Sequence, residues 1–168
     1  VYVLDNLMRN KKVGTHSINN ILIVDDHSGV RRALRWLINN ESDLTVCAIA
    51  RSFRHAQKVI KDNSFDLAII DISLGDANGL ELTRVIKSRD PDTSVVIYSA
   101  HDDLLCVERA FQSGACGYLV KSPDTTKEIL TAIRQVLKGN IYISRRISQE
   151  YSANDIDRIS PASARFVR

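Results

Sequence analysis

No apolar run in this chain approaches the roughly 20 residues that span a bilayer, so no membrane segment is expected. The first 20 residues lack the apolar stretch of a secretory leader. Cysteine is scarce: Cys47, Cys106 and Cys116 are odd in number, with no CxxC pair and no histidine at metal-ligand spacing. They read as small buried thiols in a reducing, cytoplasmic setting. Internal repeats and low-complexity segments are missing too. Nor does charge of one sign dominate. The net charge of +3 belongs to the flanks, because residues 21–139 hold 15 Lys/Arg against 16 Asp/Glu. The pI near 8.8 is therefore no argument that the central region binds nucleic acid.

What is present is a regular alternation of strand and helix signals. The 168 residues, 44% of them hydrophobic, suffice for one good core, with or without a tail. Short apolar runs are expected as strands at 21–25, 44–50, 66–71, 93–99 and 117–120. Helical periodicity follows each: from Ser28 as N-cap, then over 53–63, 80–88 and 102–113, and from Ser122-Pro123 to Gly139. Five strands alternating with five helices predict an α/β fold, a doubly wound, flavodoxin-like parallel sheet in the order 2-1-3-4-5. Residues 1–20 are read as an N-terminal extension. Residues 140–168, rich in Ser, Asn and Arg, are read as a linker.

The acidic residues are the chemical signal. Asp25 and Asp26 close the apolar run 21–24, and Asp71 closes the run 67–70. Parallel strands would bring all three to the sheet's C-terminal edge, where open α/β sheets bind ligands. Converging carboxylates repel one another in a partly dry cleft and call for a cation. All-oxygen donors favour Mg²⁺ over zinc or copper.

These residues sit within a longer set of matches. Ile-Leu-Ile-Val-Asp-Asp-His at 21–27, Leu-Ala-Ile-Ile-Asp-Ile-Ser-Leu at 67–74, Gly79, Tyr-Ser-Ala at 98–100 and Gly-Ala-Cys-Gly-Tyr-Leu-Val-Lys at 114–121 occur in order. Residues 21–139 thereby resemble the receiver domain of bacterial two-component response regulators, of the NarL/FixJ (LuxR) type. The resemblance implies that Asp71 accepts a phosphoryl group from a sensor histidine kinase or a phosphotransfer protein. It implies Mg²⁺ held by Asp26, Asp71 and the Ser73 backbone carbonyl, with Asp25 acting through water. Lys121 would pair with Asp71 and then with the phosphoryl group. Ser99 and Tyr118 would form the switch, Ser99 moving toward the phosphoryl oxygens and Tyr118 turning inward behind it.

Such a domain catalyses its own phosphorylation and is not a turnover enzyme. Its expected output is control of transcription. DNA would be reached only through an output domain that this chain lacks, since it has no recognition helix. A homodimer is left open. The stretch from Ile159 to Arg168 looks like the opening of a helix-turn-helix domain cut short, with Ala162-Ser163 in place of the usual Arg-Glu. Relatives usually carry proline after Leu74, where this chain has Gly75, and a looser loop is expected from glycine.

Three other readings compete with this one. A phosphorylation-independent interaction module would not need Asp25, Asp26, Asp71, Ser99 and Lys121 together. A phosphatase of the haloacid-dehalogenase type wants a second aspartate at position 73, which is Ser73. A flavodoxin wants a phosphate-cradling loop after the first strand, where Asp25-Asp26 stands instead. His27 reads as a local hydrogen-bonding group, His101 as a neighbour of the site mouth, and Arg31, Arg32 and Arg35 as a solvated face.

Overall fold

The computed structural model describes residues 18–75, 77–159 and 166–167. In chain order the elements are β1 Asn19–Val24, α1 Ser28–Asn39, β2 Leu44–Ala50, α2 Phe53–Asp62 and β3 Leu67–Ile70. A small hairpin of β4 Ser73–Leu74 and β5 Ala77–Asn78 leads into α3 Gly79–Arg89. Then come β6 Ser94–Ser99, α4 Leu104–Gln112, β7 Gly117–Val120, a 3₁₀ turn Pro123–Thr125 and α5 Thr126–Leu137. Beyond these lie β8 Ile141–Ile143, α6 Arg145–Glu150, α7 Ala153–Ile159 and the two-residue β9 Phe166–Val167.

The main sheet has the order β2-β1-β3-β6-β7-β8-β9, and every pair in it is parallel. The first five are the expected strands in the expected order. Parallel strands covered on both faces need apolar residues at successive positions, which is why 21–24 and 67–70 are wholly buried. Period-2 alternation divides them between two cores. Leu22, Val24, Ala68, Ile70, Val95 and Ile97 pack with α2, α3 and α4. Ile21, Ile23, Leu67, Ile69 and Val96 pack with α1 and α5.

Three local expectations are corrected. Ser28 is not the N-cap of α1: His27 takes that place, in extended backbone and without a side-chain capping bond. Gly75, expected only to loosen its loop, answers a backbone requirement. It has φ +70 in the turn between β4 and β5. Proline, locked near −65°, cannot take that conformation, so glycine serves the tight turn.

The third correction concerns the C-terminal segment. Residues 141–159 do not form a linker. β8 pairs with β7, placing Ile143 opposite Tyr118. Ile141, Ile143, Ile147 and Ile156 are buried in the α2–α3–α4 core, and α7 packs on α4. Burial of each isoleucine contributes about 1.5–3 kcal/mol. The stretch expected to begin a helix-turn-helix lies mostly outside the described residues, as do residues 1–17 of the extension.

Candidate functional site

Three strand ends build the site, and backbone bonds between them fix its frame. The Asp71 N–H donates to the Val24 carbonyl at 2.9 Å, and the Lys121 N–H to the Ser99 carbonyl at 2.7 Å. Asp25 and Asp71 therefore emerge side by side where β1 and β3 end. Both are nearly sealed from water, at 2% and 3% exposure. Lys121 follows β7 and reaches across: its Nζ lies 2.8 Å from Asp25 Oδ2 and 2.6 Å from Asp71 Oδ2. The same ammonium stands 5.7 Å from the centre of the Tyr98 ring, within cation–π range.

One lysine shared by two buried carboxylates leaves the cluster negative. Burial pushes the Asp71 carboxyl above its ordinary value, and Asp25 adds to the rise. Hydrogen bonding and charge from Lys121 offset only part of it. For Lys121, burial works against the charged form, but hydrogen bonds to Asp25 and Asp71 outweigh it and hold the amine above its ordinary value. The lysine is thus firmly protonated.

Asp26 sits at the open side of this pair. The His27 Nδ1 lies 2.8 Å from Asp26 Oδ1, and the His27 N–H donates to Asp25 Oδ1 at 2.8 Å. Ligand atoms of Asp25, Asp26, His27 and Asp71 all fall within 4.8 Å of one another. Residual negative charge and convergent carboxylate oxygens fit a hard divalent cation such as Mg²⁺. Ser73 lies in β4, and its N–H donates to Asp71 Oδ1 at 3.3 Å.

Ser99 and Tyr118 are both fully buried. The Tyr118 hydroxyl donates to the His101 carbonyl at 2.9 Å, and the His101 N–H donates to Ser99 Oγ at 3.3 Å. Tyr118, expected to turn inward on phosphorylation, is already inward here, enclosed on its strand's edge by β8. The loop through His101 links the two residues.

Sequence reasoning missed how several groups support the site. Arg31, expected on a solvated face, donates from its guanidinium to the Asp25 carbonyl at 2.7 Å. Gly79 matters for its lack of a side chain: a Cβ there would stand 2.0 Å from the Asp71 carbonyl oxygen. Asn78 caps α3 by accepting from the Leu80 N–H, which fixes the helix start just behind Asp71. An Asn before a Gly was a readable cap signal; the close approach to Asp71 was not.

Site and fold define a class that comparison with known proteins bears out. The family model for the response regulator receiver domain matches residues 21–134, and the chain belongs to that family. Its relatives are of the NarL/LuxR type. Response regulator UvrY of Escherichia coli is 31% identical over 138 residues, covering 82% of this chain and 63% of that protein. Transcriptional regulatory protein DegU of Brevibacillus brevis is 30% identical over 139 residues, covering 83% and 58%. A two-component response regulator of the LuxR family from Aurantimonas superposes with a TM-score of 0.77 at 31% identity. That alignment covers 83% of this chain and 99% of the other. The chain thus spans about three fifths of the curated relatives it matches. No helix among the described residues is long and apolar enough to cross a membrane.

Proposed function

We propose that this receiver accepts a phosphoryl group on Asp71 from the phosphohistidine of a sensor kinase or phosphotransfer protein. The observation that carries the reading is the Lys121 ammonium held between Asp25 and Asp71. A carboxylate oxygen of Asp71 attacks phosphorus, the P–N bond breaks, and its electron pair returns to the imidazole. Carboxylates are modest nucleophiles, so positioning and charge neutralisation must supply most of the catalysis. Asp26, Asp71 and the Ser73 carbonyl would hold Mg²⁺, with Asp25 acting through water. When bound, the ion would neutralise phosphoryl oxygens. Lys121 then releases Asp71 and pairs with the phosphoryl group, a move that suits a flexible ammonium. The Ser99 hydroxyl donates to another phosphoryl oxygen.

The acyl phosphate carries about −2 charge where the carboxylate carried −1, and it adds strong acceptors, enough to bias a two-state surface. The face of α4, β7 and α5 is the surface it would bias. Regulation of transcription, by analogy with the transcriptional regulatory protein DegU, would require a DNA-binding output domain beyond this chain. The cytoplasm is where such a kinase partner would present its phosphohistidine.

Incubation with acetyl phosphate and Mg²⁺, read by intact mass, tests the proposal. A labile gain of one phosphoryl group is expected, absent in Asp71→Asn and with EDTA. One observation favours the rival module that works without phosphorylation: Tyr118 already occupies its inward position. No mass gain by the folded protein, with a known receiver labelled in parallel, would put that rival first.

A further inference from the structure

A second cluster of metal-ligating side chains lies apart from the acidic site, at the start of α4. His101, Asp103 and Cys106 each offer one ligand atom, and the three atoms lie within 4.8 Å of one another. Sequence spacing gave no hint of it, because one ligand is in a loop, one caps a helix and one is in its first turn. Asp103 accepts from the Cys106 N–H at 2.9 Å, which fixes both residues on the same side of the helix start.

We propose that His101, Asp103 and Cys106 form a binding site for a thiophilic divalent cation of the Zn²⁺ class, with a fourth position open to water. Imidazole, carboxylate and thiolate are a donor set that zinc accepts and that Mg²⁺ rejects. Tetrahedral bonds of about 2.0–2.3 Å place neighbouring ligand atoms roughly 3.5 Å apart. Closing from the present spacing therefore takes a shift of at most about 1 Å per side chain; His101 and Asp103 are exposed, and the capping bond of Asp103 uses its Oδ1, which leaves Oδ2 for a metal. Burial and Asp103 push the Cys106 thiol up to about 11, so the free protein carries it protonated. Binding forms a metal–sulfur bond and releases the thiol proton to solvent. The site differs in ligand chemistry from the carboxylate cluster, so the two select different ions.

The position gives the metal a consequence. The His101 main chain bonds to Ser99 and to Tyr118 at once. A metal on its side chain would pin the loop that joins these residues. That consequence rests on reading Ser99 and Tyr118 as the switch; binding itself does not.

Titration of the whole chain with Co²⁺ in the presence of excess Mg²⁺ tests the site. We expect one equivalent to give a thiolate-to-cobalt charge-transfer band, displaced stoichiometrically by Zn²⁺. The band should vanish in Cys106→Ser. Affinity should fall at least about 10-fold in His101→Ala, since even outer-shell changes cost that much. It should persist in Asp26→Asn, which alters only the acidic site. A missing band, or one unchanged in Cys106→Ser or in His101→Ala, would overturn the proposal. Circular dichroism would confirm that each variant is folded. Loss of phosphotransfer would leave these outcomes untouched, so the two readings fail separately.

Discussion

Replacing Lys121 with methionine isolates the electrostatics of the acidic pair. Methionine keeps most of the apolar stem and removes the charge. The lysine nitrogen lies 2.8 and 2.6 Å from the two Oδ2 atoms, so those oxygens are at most about 5.4 Å apart. At an effective dielectric of about 20, two unit charges at that distance repel by about 3 kcal/mol. Loss of one partner from a buried pair typically costs about 3–5 kcal/mol, which agrees. Urea unfolding at pH 7.5 without metal should therefore show Lys121→Met less stable by about 3 kcal/mol. The pH dependence supplies the sign. Asp71 is already raised by burial, and without lysine it rises further. Between the unfolded and folded values the native state binds more protons, so the variant gains stability as pH falls through that window. Its deficit should shrink toward pH 5, and Mg²⁺ at pH 7.5 should shrink it too. A deficit below about 0.5 kcal/mol at pH 7.5, or one that stays constant to pH 5, would refute the argument.

Other perturbations follow from the same structure. Asp71→Asn removes one of the two charges competing for Lys121, so it should unfold at an equal or higher urea midpoint while losing all labelling by acetyl phosphate; a loss above about 1 kcal/mol would contradict this. Gly79→Ala puts a methyl 2.0 Å from the Asp71 carbonyl. It should cost about 1–3 kcal/mol and displace Asp71, seen as slower labelling by acetyl phosphate even where the variant is folded. Ile147→Ala removes a fully buried side chain beyond the expected domain end. It should cost about 2–5 kcal/mol in urea unfolding, whereas an unchanged midpoint would mean the segment is not integral to the fold.

The five central strands and their helices could be read from the sequence because each repeats one signal. Runs such as 21–24 and 67–70 are continuous and apolar, and the helices between carry long stripes. The same reading failed after Gly139 for a physical reason. β8, α6 and α7 have 3, 6 and 7 residues, too short for a period to emerge. Their stability comes from Ile143, Ile147 and Ile156 finding a core built by distant residues. Asp25, Asp71 and Lys121 could be predicted to meet because each closes a parallel strand. The Arg31 bond to the Asp25 carbonyl, the left-handed Gly75 and the grouping of His101 with Cys106 depend on loop paths that residue types alone do not specify.

The C-terminal segment bears directly on Tyr118 and on the loop that joins it to Ser99. β8 completes the ladder along β7, with the Ser144 N–H donating to the Tyr118 carbonyl at 2.8 Å. Ile141, Ile143, Ile147 and Ile156 share a core with Tyr118. Arg146 pairs with Asp102 at 2.6 Å, tying α6 to the loop that links Ser99 and Tyr118. That pair is half-exposed and contributes little energy, so it orients the segment, while the isoleucines hold it. An outward Tyr118 would leave a void in this core, which costs several kcal/mol for a large aromatic. The segment therefore biases the tyrosine inward and ties residues 141–159 to the loop that follows Ser99.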